Sequence, residues 1–521
     1  MNRISHPTAD LILHNANILT MNADCQKARM VAVRNGKIMT VSEKAEIKGI
    51  AGTQTKIIDC LGKTIIPGFN DAHCHIFGFA ESFHTLDLRP GKIHSIQDIQ
   101  ARISELALTS PPGKWIRGRG YNDFYLAEKR HPNLRDLDQA TKNHPVKLTH
   151  RSGHAHVLNS LALTLTGITK ESAEPPGGMI DRDLETGEPT GILYGMSEYL
   201  SGVIPPLGKA EMEQGIKSAN ETLISLGITS VQDASIHNNI QRWQELRDWK
   251  EQGHLKPRVN MMLGIKALRE AREQGFSPKT GDEQLRLGAI KMILNQTRGH
   301  LNPPETELRQ MVLDAHQAGF QVALHAVEEN TISAGLLALE YAQRVYPHPW
   351  RKHRIEHCSI CTPEMSERLA KLQVIVVTQP AFIYYSGERY LKTVPPQQLE
   401  HLYPFGTLIR AGLTVAASSD CPVVPPNPLI GIYAATSRTA ESGQKLLPEQ
   451  AISPLQSLWA YTAGGAYASQ EERSKGTITP GKLADLVVLS KDPTQIPISE
   501  IKQIQVEMTI IDGQIAWQRN D

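Results

Sequence analysis

The stretch Pro67-Gly-Phe-Asn-Asp-Ala-His-Cys-His75 places His73 and His75 two residues apart, just behind a strand-like run, Lys63-Thr-Ile-Ile66. Residues two apart in an extended chain share a face, so both imidazoles can converge on one point at a strand end. Two neutral imidazoles on one point are the beginning of a metal site. An isolated His-x-His does not carry that reading, because such a pair more often divides between core and surface. Further titratable residues lie at the ends or within other apolar runs: Lys291 in Gly288-Ala-Ile-Lys-Met-Ile-Leu294, His325 ending Val322-Ala-Leu-His325, and His357 ending Arg354-Ile-Glu-His357. Positions 291, 325 and 357 are each about one βα unit apart, and Asp420, after Ala416-Ala-Ser-Ser419, is about two units further on. One register therefore aims Lys291, His325, His357 and Asp420 at the same mouth as His73 and His75. Taken singly, each has a structural explanation; together they would need six coincidences in one register. Asp233, closing Thr229-Ser-Val-Gln-Asp233, sits at another strand end and is a candidate to support the site or touch a substrate.

The elements that would position these residues alternate. Apolar runs at Thr229–Val231, Arg258–Met262, Gly288–Leu294, Phe320–Leu324, Arg354–Glu356, Val374–Thr378 and Leu413–Ala417 are separated by helical patterns, the rhythm of a parallel α/β sheet. Adding the strand before His73 gives eight, the count of a (β/α)8 TIM barrel, whose active site lies at the C-terminal ends of its strands. Helix starts are legible at Thr362-Pro363 and Ser453-Pro454, and the helix after Pro303-Pro304 should end at Gly319. Short β-like pieces before residue 64, with Asn35-Gly36 as a hairpin turn, and after residue 475, with Asp512-Gly513 as another, are expected to form a composite β-sandwich from 1–64 and 475–521. The barrel would then span 65–474, interrupted at 78–205 by an inserted subdomain that holds a short strand, Val146-Lys-Leu-Thr149.

Composition narrows the function classes. In 521 residues, 55 Lys and Arg nearly balance 54 Asp and Glu, so no global field draws in nucleic acid, and a small-molecule partner is the default. No apolar run approaches the length of a membrane span, and the first ten residues are polar, so a soluble cytoplasmic protein is the expectation. Cys25, Cys60, Cys74, Cys358, Cys361 and Cys421 are too few in so long a chain for a disulfide framework. Cys358-Ser-Ile-Cys361 has zinc-knuckle spacing but no second pair, and a structural role is preferred. The aromatic run Phe382-Ile-Tyr-Tyr385, with Tyr390, either lines an apolar pocket, which would put Tyr385 against a substrate, or packs a loop.

With these residues in view, the chain resembles the metal-dependent amidohydrolase superfamily, and within it the YtcJ-like branch that includes N-substituted formamide deformylase. The resemblance rests on Pro67-Gly-Phe-x-Asp-x-His-x-His75, Leu324-His-Ala-Val-Glu328, Arg354-Ile-Glu-His-Cys358, Ser419-Asp420 and the tail Gly476-Thr-Ile-Thr-Pro-Gly-Lys-Leu-Ala-Asp-Leu486, and it covers nearly the whole length. It implies one or two divalent ions, zinc by expectation, on His73, His75, His325, His357 and Asp420, with Lys291 at the position where relatives carry a carboxylated, metal-bridging lysine. It also implies His154, in His150-Arg-Ser-Gly-His-Ala-His156, as a substrate-facing residue that polarises a carbonyl. One departure stands out: Asn295-Gln-Thr-Arg298 replaces an Asp-Gly-Ser segment of the family. The expected chemistry is hydrolysis of a non-peptide carbon–nitrogen bond, an N-acyl or N-formyl amide, with Asp420 as proton shuttle and His357 helping to hold the oxyanion. A deaminase of an amino-heterocycle on the same site and a catalytically inactive homologue are the rival readings. The oligomeric state is not legible, a homodimer being one option.

Overall fold

The computed structural model describes residues 8–44, 47–278, 280–297, 299–348 and 352–520; of the residues singled out above, Arg298 lies outside these. The chain divides into two compact units, one formed by residues up to 75, 220–294 and from 303 onward, the other by 76–219 and 295–302.

The first unit is built around eight parallel strands: β1 (Phe69–Cys74), β2 (Ile228–Asp233), β3 (Arg258–Gly264), β4 (Leu285–Ile293), β5 (Val322–Ala326), β6 (Arg354–His357), β7 (Ile375–Thr378) and β8 (Thr414–Ala417), hydrogen-bonded in that order. The sheet is drawn toward closure at its C-terminal end, where the Asp420 N–H donates to His73 O at 2.8 Å and the His75 N–H donates to Cys421 O at 2.8 Å. This is the nearly closed barrel that the alternating pattern predicts. Between strands run helices such as Glu305–Gln317, which turns Leu308, Val312 and Ala315 inward and is followed by Gly319 at φ +92°. Thr362 and Ser453 accept the N-terminal hydrogen bonds of the helices Pro363–Lys371 and Pro454–Trp459, as N-cap residues followed by proline should.

One strand differs from expectation. Thr64–Pro67 is not the first barrel strand: it lies between Asn17–Asn22 and Leu486–Leu489 in a separate six-stranded sheet. The barrel begins two residues later at Phe69, and β1 contains His73 itself. The cause is polarity. Asn70, Asp71 and His73 are all buried polar residues, so β1 lacks the apolar signature that Ile65 and Ile66 display. Gly68 makes the crossing between the two sheets possible, since a Cβ there would sit 2.0 Å from Thr229 Oγ1.

That six-stranded sheet and a four-stranded one, containing Ala9–His14 and Met30–Arg34, share an apolar cluster that includes Leu11, Leu13, Val31, Val33, Ile65, Leu486 and Ile510. Asn35-Gly36 and Asp512-Gly513 both take left-handed angles, +49° and +70°, and +55° and +71°, the pairing a two-residue type I′ hairpin turn requires. The second unit holds a six-stranded sheet in which Val146–His150 lies between Ile116–Tyr121 and Ala155–Leu158. The helix Ile96–Thr109, started by a Ser95 capping box, contributes Ile99 and Ile103 to a cluster with Ile116, Leu148 and Val157. Among the described residues no helix is long and apolar enough to cross a membrane. Cys60, Cys74, Cys358, Cys361 and Cys421 are buried free thiols.

Candidate metal centre

Strand alternation and two local exceptions to it bring the titratable side chains together. On β6, Arg354 and Glu356 point inward while Ile355 packs outward near Gly335. His357 should then also point outward, but its backbone turns left-handed, φ +71°, and its ring comes to lie 4.9 Å from that of His73 and 4.4 Å from that of His325. Asp420 is likewise left-handed, φ +57°. Such angles cost a non-glycine residue about 1–3 kcal/mol and persist only where the surroundings impose them. Here the imposed geometry sets Asp420 Oδ1 3.0 Å from His75 Nε2 and 3.5 Å from His73 Nε2. One donor atom from each of these three residues lies within 4.8 Å of the others.

The groups behind the rings fix which nitrogen faces inward. His73 Nδ1 lies 2.5 Å from Glu356 Oε2, a carboxylate that can only accept, so Nδ1 carries the proton. His75 Nδ1 lies 3.1 Å from Ser235 Oγ, whose own hydrogen is donated to Asp233 Oδ1 at 2.7 Å, so here too Nδ1 is the donor. His357 Nδ1 donates to Gln379 Oε1 at 2.8 Å; the Gln379 amide nitrogen donates to Ser418 Oγ at 3.0 Å, and Ser418 donates to Thr378 O. All three networks leave Nε2 as a bare lone pair, and those of His73 and His75 face the Asp420 carboxylate. Lone pairs and a carboxylate at 3.0–3.5 Å repel unless a cation lies among them. The donor set therefore fits a divalent metal.

The electrostatics agree. Burial, reinforced by Lys291, holds His73 well below the ordinary histidine pKa, and burial also lowers that of His357, so both rings are neutral and able to ligate. Lys291 is 1% exposed, and its Nζ has no hydrogen-bond partner; burial lowers its pKa to about 8 against the opposing pull of Glu356 and Asp420. His357 Nε2 and Asp233 Oδ2 are also buried without a partner. These three atoms are the residual polarity that a bound group would satisfy.

Of the residues singled out in the sequence, His73, His75, Asp420, His357, His325, Lys291 and Asp233 all belong to the first unit. Asp233 reaches His75 through Ser235. His154 belongs to the second unit, where it is exposed and its N–H meets Ser152 Oγ at 3.2 Å. The run from Phe382 to Tyr385 is helical, within Ala381–Thr393, and Phe382 and Tyr390 pack with Tyr403 and Leu402 in an apolar cluster. Tyr385 sits edge-on to Tyr384 at 5.0 Å. The sequence reading missed Glu356, Arg354, Gln379 and Ser235. Arg354-Ile-Glu356 carried a signal: opposite charges at i and i+2 inside a buried strand share a face and are bound to pair.

Comparison with known proteins supplies the family. The amidohydrolase family profile matches residues 56–516, and the chain belongs to that family. It is a hydrolase of carbon–nitrogen bonds. It is 27% identical to an N-substituted formamide deformylase of Arthrobacter pascens, over 98% of each chain, and 26% identical to the putative amidohydrolase YtcJ of Bacillus subtilis (strain 168), over 98% of this chain and 99% of that one. An uncharacterized metal-dependent hydrolase of Pyrococcus horikoshii OT3, 24% identical, has the same fold, with a TM-score of 0.75 over 94% of this chain and 99% of its own.

Proposed function

We propose that the protein hydrolyses N-acyl or N-formyl amides, using zinc held by His73, His75 and Asp420, with His325 and His357 able to hold a second ion. The observation that carries this reading is the pair of inward-facing Nε2 lone pairs set against the Asp420 carboxylate. Similarity to a formamide deformylase over nearly the whole chain supports the substrate class. A divalent ion in such a set supplies Lewis acidity, lowering the pKa of the attacking water toward about 7 and polarising the amide carbonyl.

The chain's own residues do the rest. Asp420, ionised and acceptor-only, takes a proton from the attacking water and returns it to the leaving amine nitrogen as the carbon–nitrogen bond breaks. Ser235 and Asp233 hold the His75 ring, and Gln379 holds that of His357. Lys291, lowered to about 8, has an appreciable fraction of free amine near neutral pH. Its nitrogen can add to CO2 and release one proton, and the resulting carbamate would replace a cation among the ligand residues with an anion.

The test is to measure metal content and turnover together, on a panel of N-formyl amines, N-acyl amines and amino-heterocycles. Formate or carboxylate release, dependent on zinc, supports the proposal. Ammonia release from the heterocycles alone would favour a deaminase, and no turnover with full metal occupancy would favour an inactive homologue.

A further inference from the structure

We infer that Glu356, braced by Arg354, is the positioning residue that fixes His73 as its Nδ1–H tautomer and aims Nε2 at Asp420. The purpose of this device rests on the metal-dependent reading above; its geometry does not.

Arg354 is 1% exposed and uses all five of its N–H donors inside the barrel. Nε donates to Glu356 Oε1 at 2.5 Å, and Nη2 to Glu356 Oε2 at 3.1 Å and Ala72 O at 2.7 Å. Nη1 donates to Gln232 Oε1 at 2.5 Å and Ala468 O at 3.3 Å. One side chain thus joins β1, β2 and β6 directly beneath the histidines. The Arg354 fork donates to both Glu356 oxygens, so the carboxylate is held in place and turns a lone pair of Oε2 toward the ring. His73 Nδ1, 2.5 Å away, has no choice but to donate.

The other two rings are backed less firmly. Ser235 is a rotatable hydroxyl, and Gln379 is an amide that can present either oxygen or nitrogen. A carboxylate meets the His73 ring directly, whereas Asp233 reaches His75 only through Ser235. A charged backing group also makes the imidazole a more basic ligand, as in carboxylate–histidine–metal arrangements. A buried Arg–Glu pair is weak as a source of stability, because two desolvated charges roughly offset their attraction. Its placement against His73 is better explained by what it does to the ring.

Glu356→Gln is the informative change. It keeps the size of the side chain, but the Arg354 fork still requires an acceptor and will hold the amide oxygen. The amide NH2 then faces His73 Nδ1, which must become the acceptor, and the ring is driven to its Nε2–H tautomer with a hydrogen aimed at Asp420. The experiment compares metal-free wild type and Glu356→Gln by 15N spectra of labelled histidine, with the His73 signal assigned from His73→Asn, and measures zinc affinity of each against a competing chelator. The expected result is an Nδ1–H signature for His73 in the wild type, the opposite tautomer in the variant, and zinc affinity weaker by about 10–100-fold in a variant whose circular dichroism is unchanged. An Nε2–H tautomer in the wild type overturns the inference, as does a folded variant with unaltered tautomer and zinc affinity. Should Glu356→Gln not fold, the wild-type spectrum alone decides. Failure of the wild type to bind zinc would overturn the proposed function while leaving the tautomer result intact.

Discussion

Replacing Lys291 by methionine should make the metal-free protein more stable and inactive. Lys291 is fully buried, its Nζ has no hydrogen-bond partner, and its pKa falls from 10.5 to about 8. The folded state therefore releases the lysine proton near pH 8, whereas the unfolded chain keeps it to about 10.5. Between these values the unfolded state binds more protons, so stability rises with pH across that window, and below it the full penalty applies. At about 1.4 kcal/mol per unit, the shift amounts to about 3 kcal/mol against the folded state at pH 7. No allowance for solvent screening is needed at 1% exposure. Methionine is near in volume and carries no charge, so the variant should recover most of that energy at pH 7 and none of it near pH 10.5. Thermal unfolding of both proteins, metal-free and depleted of CO2, from pH 6.5 to 10.5, reads the difference. A variant that is less stable at pH 7, or whose advantage does not shrink with rising pH, would refute the reasoning.

Asp420→Asn should retain part of its zinc but lose turnover by about 10²–10⁴-fold, since an amide cannot carry a proton from water to amine; near wild-type kcat in that variant would remove Asp420 as the shuttle. His73→Ala and His325→Ala should each lose metal and activity with an unchanged circular dichroism spectrum, because strand-end residues at a barrel mouth serve the site more than the core, and full zinc occupancy in both would contradict their placement. Arg258→Ala should cost about 3–5 kcal/mol, read by denaturant or thermal unfolding, because it strands the buried Asp485 carboxylate that Arg258 holds at 2.7 and 3.0 Å. A loss under about 1 kcal/mol would mean that water reaches Asp485 in its place.

Much of the barrel was legible because strands such as Val322–Ala326 and Ile375–Thr378 read as short apolar runs with the chemistry at or near their ends. The first strand was not. Asn70, Asp71 and His73 make it polar although it is buried, so periodicity pointed instead to the apolar neighbour Thr64–Pro67, which pairs elsewhere. Spacing alone brought Lys291, His325, His357 and Asp420 to one register, yet the left-handed turns that aim His357 and Asp420 inward leave no mark in the residue types. The backing groups divide the same way. Arg354 and Glu356 could be seen as a charge pair two apart on a buried strand, whereas Gln379 and Ser235 act through hydrogen bonds to rings distant in sequence, which no local pattern encodes. The second unit's six-stranded sheet showed only one of its strands: arginines and glycines interrupt Ile116-Arg-Gly-Arg-Gly-Tyr121, and Leu86–Asp87 is only two residues long.

In the proposed site, His73, His75 and Asp420 ligate the metal through Nε2, Nε2 and a carboxylate oxygen. Crystals of the zinc-loaded protein, with anomalous difference density collected at the zinc edge, test it most directly. A peak is expected about 2.0–2.1 Å from Nε2 of both His73 and His75 and within bonding distance of Asp420. Strong zinc density elsewhere with none among these three residues, or coordination through Nδ1 of His73, would contradict it.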